Sequence, residues 1–325
     1  MLKDKYPIKQ KKDTRSGFGD ELNELGKNNS RVVALTADLT GSLKMEKFAS
    51  NFPDRFIQVG IAEANMMGIA AGLANAGFIP FTGTFAVFST GRVYDQLRQS
   101  VAYSFKNVKV CASHAGITLG EDGASHQIME DIALMRALPN MIVINPADYT
   151  QTRQAVRAIS EYFGPVYLRF GRPVVPDFIP DDLHFEIGKA ITLKTGHDIT
   201  IFATGHLLWE AIEACDELEK LGIDAELINI HTIKPIDEQT IINSLLKTKC
   251  AVTAEEHVIH GGLGDAVAQV SVKNYPVPIE YVAMDCIFGE SGAPDELMVK
   301  YGLKSPNIVN AAIKAVKRKK IFIND

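Results

Sequence analysis

What most constrains this chain is an alternation in which short apolar runs, rich in β-branched and aromatic residues, are separated by segments of helical length. The runs at 31–39 (RVVALTADL), 55–60, 78–85, 108–113, 141–145 and 166–170 read as buried strands. Between them, 62–76, 92–105, 127–137 and 149–163 are long enough for helices. Such alternation predicts an α/β domain over 13–171, a parallel sheet with helices on both faces.

The alternation breaks at 171–182 (GRPVVPDFIPDD), where three prolines and three aspartates can continue neither a helix nor a central strand. This composition predicts a linker, 172–188, and then a second, smaller α/β domain over 189–320. In it, strands are expected at 199–203, 225–230, 251–254 and 279–284, and helices at 207–221, 237–246 and 262–273. A chain of 325 residues, 46% hydrophobic and 22% charged, can supply two such cores.

Several function classes are disfavoured. A formal charge of −5 offers no broad basic field for nucleic acid or an anionic membrane. The basic ends, Lys9, Lys11 and Lys12 and then Lys317, Arg318, Lys319 and Lys320, read as solvated tails. Cys111, Cys215, Cys250 and Cys286 form no CxxC pair, the first residues hold no apolar signal core, and no apolar run reaches the ~18 residues of a membrane span. A cytoplasmic protein is expected. Neither GxGxxG nor GxxxxGK[ST] occurs, and Gly261, Gly262 and Gly264 suit close packing at a helix start better than phosphate binding. His114, His126, His257 and His260 do not fall at zinc spacing, so no metal site is expected within this chain.

The chemistry-bearing stretches lie in the first domain. Glu63 falls in the first turn of a helix rich in Ala and Gly, where an acid also complements the helix dipole. Phe85 and Phe88 follow at the end of a strand, a place where aromatics usually serve the core. The loop 114–127 (HAGITLGEDGASHQ) then gathers two histidines, two acids and three glycines at the C-terminal end of a presumed strand. Open α/β sheets bind ligands at that edge, and such a loop points to function.

At these residues a family resemblance emerges. ADL at 37–39, GIAE at 60–63, TFxxF at 84–88, H(x)5GEDGxxHQ at 114–127, RALPN at 136–140 and NPAD at 145–148 resemble, in order and spacing, the pyrimidine-binding domain of transketolases. ITIFATG at 199–205, NIHTIKPID at 229–237 and AEEHVIHGGLGDAV at 254–267 look like the transketolase C-terminal domain. The pattern is similar, less closely, to deoxyxylulose-phosphate synthases and to the β subunits of 2-oxoacid dehydrogenases.

The resemblance implies thiamine diphosphate chemistry, in which a two-carbon ketol unit passes from a ketose phosphate to an aldose phosphate. Glu63 matches the glutamate that hydrogen-bonds N1′ of the aminopyrimidine and favours the imino form, whose 4′ nitrogen takes the thiazolium C2 proton. Phe85 and Phe88 match the walls of the pyrimidine ring, and Asp38 and Ile61 match positions approaching it. Arg15, Ser42, His114 and Arg169 match residues holding the sugar phosphate, while Asp122 and His126 match residues contacting donor hydroxyls. His114 stands where the synthases typically carry an aspartate.

Two departures accompany the resemblance. Where a further aromatic often completes the pyrimidine wall, this chain offers Thr90 or Gly91. The GDG motif and following asparagine, which in full-length relatives hold magnesium and the cofactor diphosphate, do not occur here. The implied partner is an N-terminal transketolase subunit carrying that domain and the Mg2+ ligands, in an α2β2 heterotetramer. A pyruvate-using synthase or dehydrogenase β-like subunit, and a non-catalytic assembly subunit, are the alternatives.

Overall fold

The structure, a computed structural model, describes residues 1–324. In the first half the strands are β1 (Gln10–Asp13), β2 (Val32–Thr36), β3 (Phe56–Gln58), β4 (Ile79–Phe85), β5 (Lys109–Ser113), β6 (Ile142–Ile144), β7 (Val166–Arg169) and β8 (Val174–Asp177). The second half contributes β9 (Ile191–Lys194), β10 (Ile199–Ala203), β11 (Ala225–Asn229), β12 (Thr232–Lys234), β13 (Ala251–Val258) and β14 (Ile279–Met284).

The first sheet has the order β12-β6-β7-β5-β4-β2-β3 and is parallel except for β12. Its central strands are buried along their whole length, as a sheet covered on both faces requires. Side chains alternate between two cores: Val33 and Leu35 join Met66, Met67 and Val101 on one face, while Val32 and Ala34 join Phe18, Leu22 and Val156 on the other. Asp13 and Asp148 cap the helices Thr14–Asn28 and Tyr149–Glu161 by accepting from Ser16 N at 3.0 Å and Gln151 N at 2.8 Å. The second sheet has the order β14-β13-β10-β11-β9, with β9 antiparallel at one edge.

Some expected elements differ. The 92–105 helix is a short turn at Tyr94–Gln96 followed by a wide π-type stretch, Leu97–Tyr103. The 127–137 helix begins only at Asp131, because the side-chain amide of Gln127 donates to the carbonyls of Ile117, Gly120 and Glu290 and holds the preceding turn open. The proline-rich segment builds β8, outside both main sheets, which pairs antiparallel with β1; the following Phe178 and Ile179 are buried. The basic ends are partly engaged, while Lys11, Lys317 and Lys320 remain exposed. Lys9 Nζ donates to Thr150 Oγ1 and the Ile179 carbonyl, Lys319 Nζ to the Asp198 carbonyl, and Arg318 pairs with Glu280.

The two halves interlock. β12 leaves the second sheet and covers the β6 edge of the first, while Lys234 Nζ donates to the carbonyls of Arg136 and Leu138. Gly262 opens the helix Leu263–Asn274, where the Glu255 carboxylate accepts from Leu263 N and Gly264 N at 2.7 and 2.8 Å. That carboxylate fills the place an anion would take, so these glycines serve packing. No described helix is long and apolar enough to cross a membrane.

Candidate active site

The candidate residues gather at the C-terminal edge of the first sheet, because each follows the end of a parallel strand. Asp38 comes just after β2, Ile61 and Glu63 after β3, Phe85 ends β4 and His114 follows β5. Asp38 and His114 both have positive φ, 59° and 58°, a conformation that few non-glycine residues adopt and that turns the chain sharply off the strand. Gln58 fixes one of these turns: its Oε1 accepts from Asp38 N at 2.7 Å and from Gly60 N at 3.1 Å.

Glu63 begins the helix Glu63–Asn75 and is only 2% exposed. Its charge is compensated by Arg92, whose Nη1 donates to both carboxylate oxygens at 3.0 and 2.9 Å. The Arg92 guanidinium also lies 4.3 Å from the centroid of the Phe88 ring. Phe88 and Phe85 are nearly parallel at 6.0 Å, and the His126 ring stands edge-on to both. Carboxylate and rings thus form one wall. Ile61 is 77% exposed beside it, and Asp122 is also exposed.

Across Phe85, the His114 ring stacks at 3.8 Å, and Ser113 Oγ lies 2.6 Å from His114 Nδ1. Burial, aided by the positive charges of Arg15 and Arg172, pushes the His114 pKa down to about 3, so the ring is neutral at ordinary pH. Arg15 is anchored through Nη1 to the Ser42 carbonyl at 3.1 Å and through Nε to Asp13 at 3.3 Å. Arg15, Thr118 and Arg172 line an open cleft of about 300 Å3.

The transketolase pyrimidine-binding domain model matches residues 10–177, and the transketolase C-terminal domain model matches 188–308. The chain belongs to the transketolase family. It is 46% identical over 310 residues to a Methanocaldococcus jannaschii protein named as a transketolase C-terminal section, covering 94% of this chain and 97% of that one. Identity to a 6-deoxy-6-sulfo-D-fructose transketolase subunit of Clostridium sp. is 44% over 305 residues, covering 94% and 95% of the two chains. A solved structure described as a split gene transketolase, inactive β4 tetramer, matches with a TM-score of 0.89 at 47% identity, covering 94% of this chain and 99% of that one.

Within this transketolase chain, one expected placement fails. Arg169 is 3% exposed; its Nε donates to Asp131 Oδ2 at 2.7 Å and its Nη2 to the Glu256 carbonyl at 2.8 Å, leaving it turned into the domain contact rather than toward a sugar phosphate. Tyr167 completes that buried network by donating to the same Asp131 oxygen at 2.7 Å. Arg172 is the arginine on the cleft, where it meets Glu121 at 2.5 Å and the Leu119 carbonyl at 2.7 Å. Nothing in the local sequence marks it, since the proline- and aspartate-rich composition around it has the character of a linker.

Arg92, Gln58 and Glu256 were also missed. Arg92 lies inside a stretch singled out for its aromatics, so the only signal was its proximity to them. Glu256 comes from the second domain: its carboxylate accepts from Thr118 N at 2.6 Å, and a Cβ at Gly116 would fall inside it. No local pattern announces a carboxylate that braces a loop in another domain.

Proposed function

We propose that this chain is the C-terminal subunit of a split transketolase that transfers a two-carbon ketol unit from a ketose phosphate to an aldose phosphate. The observation that carries the reading is the juxtaposition, at one sheet edge, of a buried carboxylate and two parallel aromatic rings with an imidazole that stacks on one of them and lies within the electrostatic reach of Arg15 and Arg172. The first part suits an aminopyrimidine, which needs a polar partner at a ring nitrogen and apolar walls. The second suits a terminal phosphate.

Thiamine diphosphate supplies the carbon nucleophile and the electron sink for breaking and making the C–C bond. Glu63 holds and moves the proton at N1′, from a position where burial leaves it no competing water. Phe85 and Phe88 wall the ring, Ile61 and Asp38 approach it, and Asp122 and His126 orient donor hydroxyls. Ser113 Oγ, 2.6 Å from Nδ1, orients neutral His114, whose Nε2–H would donate a hydrogen bond to the substrate phosphate alongside Arg15 and Arg172 and near Ser42. The names of the matched relatives, a C-terminal section and a subunit, support a partner chain, and the partner in this reading is an N-terminal subunit that carries the GDG domain and the Mg2+ ligands, in an α2β2 assembly. We place the pyrimidine-binding domain at 13–171, the connection at 172–188 and the C-terminal domain at 189–320. Three buried cysteines without disulfide partners fit a cytoplasmic setting.

The test is turnover of a ketose phosphate and an aldose phosphate with thiamine diphosphate and Mg2+. The chain mixed with an N-terminal subunit should be active, the chain alone negligibly so, and mixed Glu63→Gln lower by a factor of about 10² or more. Robust turnover by the chain alone defeats the split, and carbon dioxide release from pyruvate by the mixture points to a synthase. Near wild-type turnover by Glu63→Gln leaves that carboxylate as a helix-dipole partner only.

A further inference from the structure

The turn between the helices Ala86–Thr90 and Tyr94–Gln96 contains a group that the proposed chemistry does not use. Thr90 does not extend the aromatic wall, since it is buried and its hydroxyl donates back to the Ala86 carbonyl at 2.7 Å. Gly91 has no side chain to offer. Arg92 fills the space instead, with one face 4.3 Å from the Phe88 centroid and Nη1 on both oxygens of Glu63 at 2.9 and 3.0 Å.

Those are the two features an aminopyrimidine would need. A guanidinium is planar, stacks on an aromatic face and donates in its own plane to a carboxylate, so it satisfies this wall much as a protonated heterocycle would. The pair is also lopsided: the Glu63 side chain is 3% exposed and that of Arg92 49%. A buried carboxylate left without a partner is costly, so Glu63 requires something at this position. Arg92, half in solvent and based in a turn rather than within a helix, can swing its own charge into water, and the cost of baring Glu63 is met when the entering ring takes its place.

We infer that Arg92 is a placeholder that occupies the aminopyrimidine's position in the chain without cofactor and swings away when the ring enters. The inference rests on the proposed thiamine diphosphate site. Occupancy by Arg92 makes only a fraction of the molecules ready to bind, and the apparent affinity falls by that fraction. Removing the guanidinium abolishes the competition and leaves Glu63 in need of a partner that the cofactor provides.

The experiment titrates thiamine diphosphate, with saturating Mg2+, into this chain assembled with an N-terminal subunit, using calorimetry for Kd and stopped-flow fluorescence for association. Arg92→Ala should lower Kd about tenfold, a change of about 1.4 kcal/mol, and speed association. In a Glu63→Gln background the same substitution should change Kd far less, since the competing ion pair is already gone. Weaker binding by Arg92→Ala would overturn the inference by making Arg92 part of the occupied site. An unchanged Kd with a lowered melting temperature would overturn it by leaving the pair purely structural. If the wild-type assembly binds no cofactor at all, the functional reading itself fails and this inference goes with it.

Discussion

Arg169 and Arg172 leave the same strand end toward different environments. Arg169 is sealed against Asp131, whereas Arg172 meets a carboxylate in an open cleft, where a phosphate can compete for it. In the assembled enzyme, Arg172→Ala and His114→Ala should each raise KM for phosphorylated donors by about 10- to 100-fold, the equivalent of one charge-assisted hydrogen bond at about 1.5–3 kcal/mol. KM for hydroxypyruvate, which lacks the phosphate, should move little, and kcat should change less than KM. Arg169→Ala should act instead on stability, by about 3–5 kcal/mol in chemical denaturation, because it strands Asp131 in the interior. Equal KM effects on both donors for Arg172→Ala would remove it from the phosphate site.

At the scale of elements, the loop between β5 and the helix Asp131–Ala137 carries His114, Asp122 and His126, and its shape is imposed from outside. Gly116 has φ +87° and Gly120 φ +91°, a backbone region that side chains disfavour, and the Glu256 carboxylate of β13 fills the space beside Gly116. From the other side, the Gln127 amide ties the loop to the Glu290 carbonyl at 2.9 Å. Gly116→Ala should therefore destabilise the chain by about 1–3 kcal/mol from backbone strain alone, with the overlap on Glu256 adding to it. Thermal melts check the stability, and loss of the His126 NMR environment checks the loop. A melting temperature equal to wild type would show that Glu256 yields freely and does not brace the loop.

Over the whole molecule, two buried histidines couple folding to pH. His114, stacked on Phe85, and His231, beside Phe185 at the junction of the two halves, both have folded pKa values depressed to about 3, chiefly by burial. The unfolded chain binds protons at these sites near pH 6.5 and the folded chain does not, so stability is fully present above about 6.5 and falls with acidification toward 3. Each group adds at most about 1.4 kcal/mol per pH unit in that window. Urea midpoints measured from pH 6.5 to 5 should fall, partly offset by the Asp148 carboxyl, whose pKa burial raises to about 7 and which therefore opposes the trend, and should fall less steeply in a His114→Asn/His231→Asn variant. A slope left unchanged by the double substitution would mean that both rings take up protons in the folded state.

The strand and helix alternation of both halves, the sheet edge that carries Glu63, Phe85 and His114, and the register of motifs that places the chain among transketolases are legible in the residues alone. These are local properties: periodicity, turn residues and spacing are written within a few neighbours. That Arg172 and not Arg169 lines the cleft shows only in the folded chain, since two arginines near a strand end look alike until Asp131 buries one of them. The fold likewise sets that β12 pairs with the first sheet, that the proline-rich segment pairs with β1, that Glu256 braces the 114–127 loop and that Arg92 lies on Glu63. Each depends on partners distant along the chain, and burial and ion pairing are set by what the fold brings alongside a residue, which no window of neighbouring sequence contains.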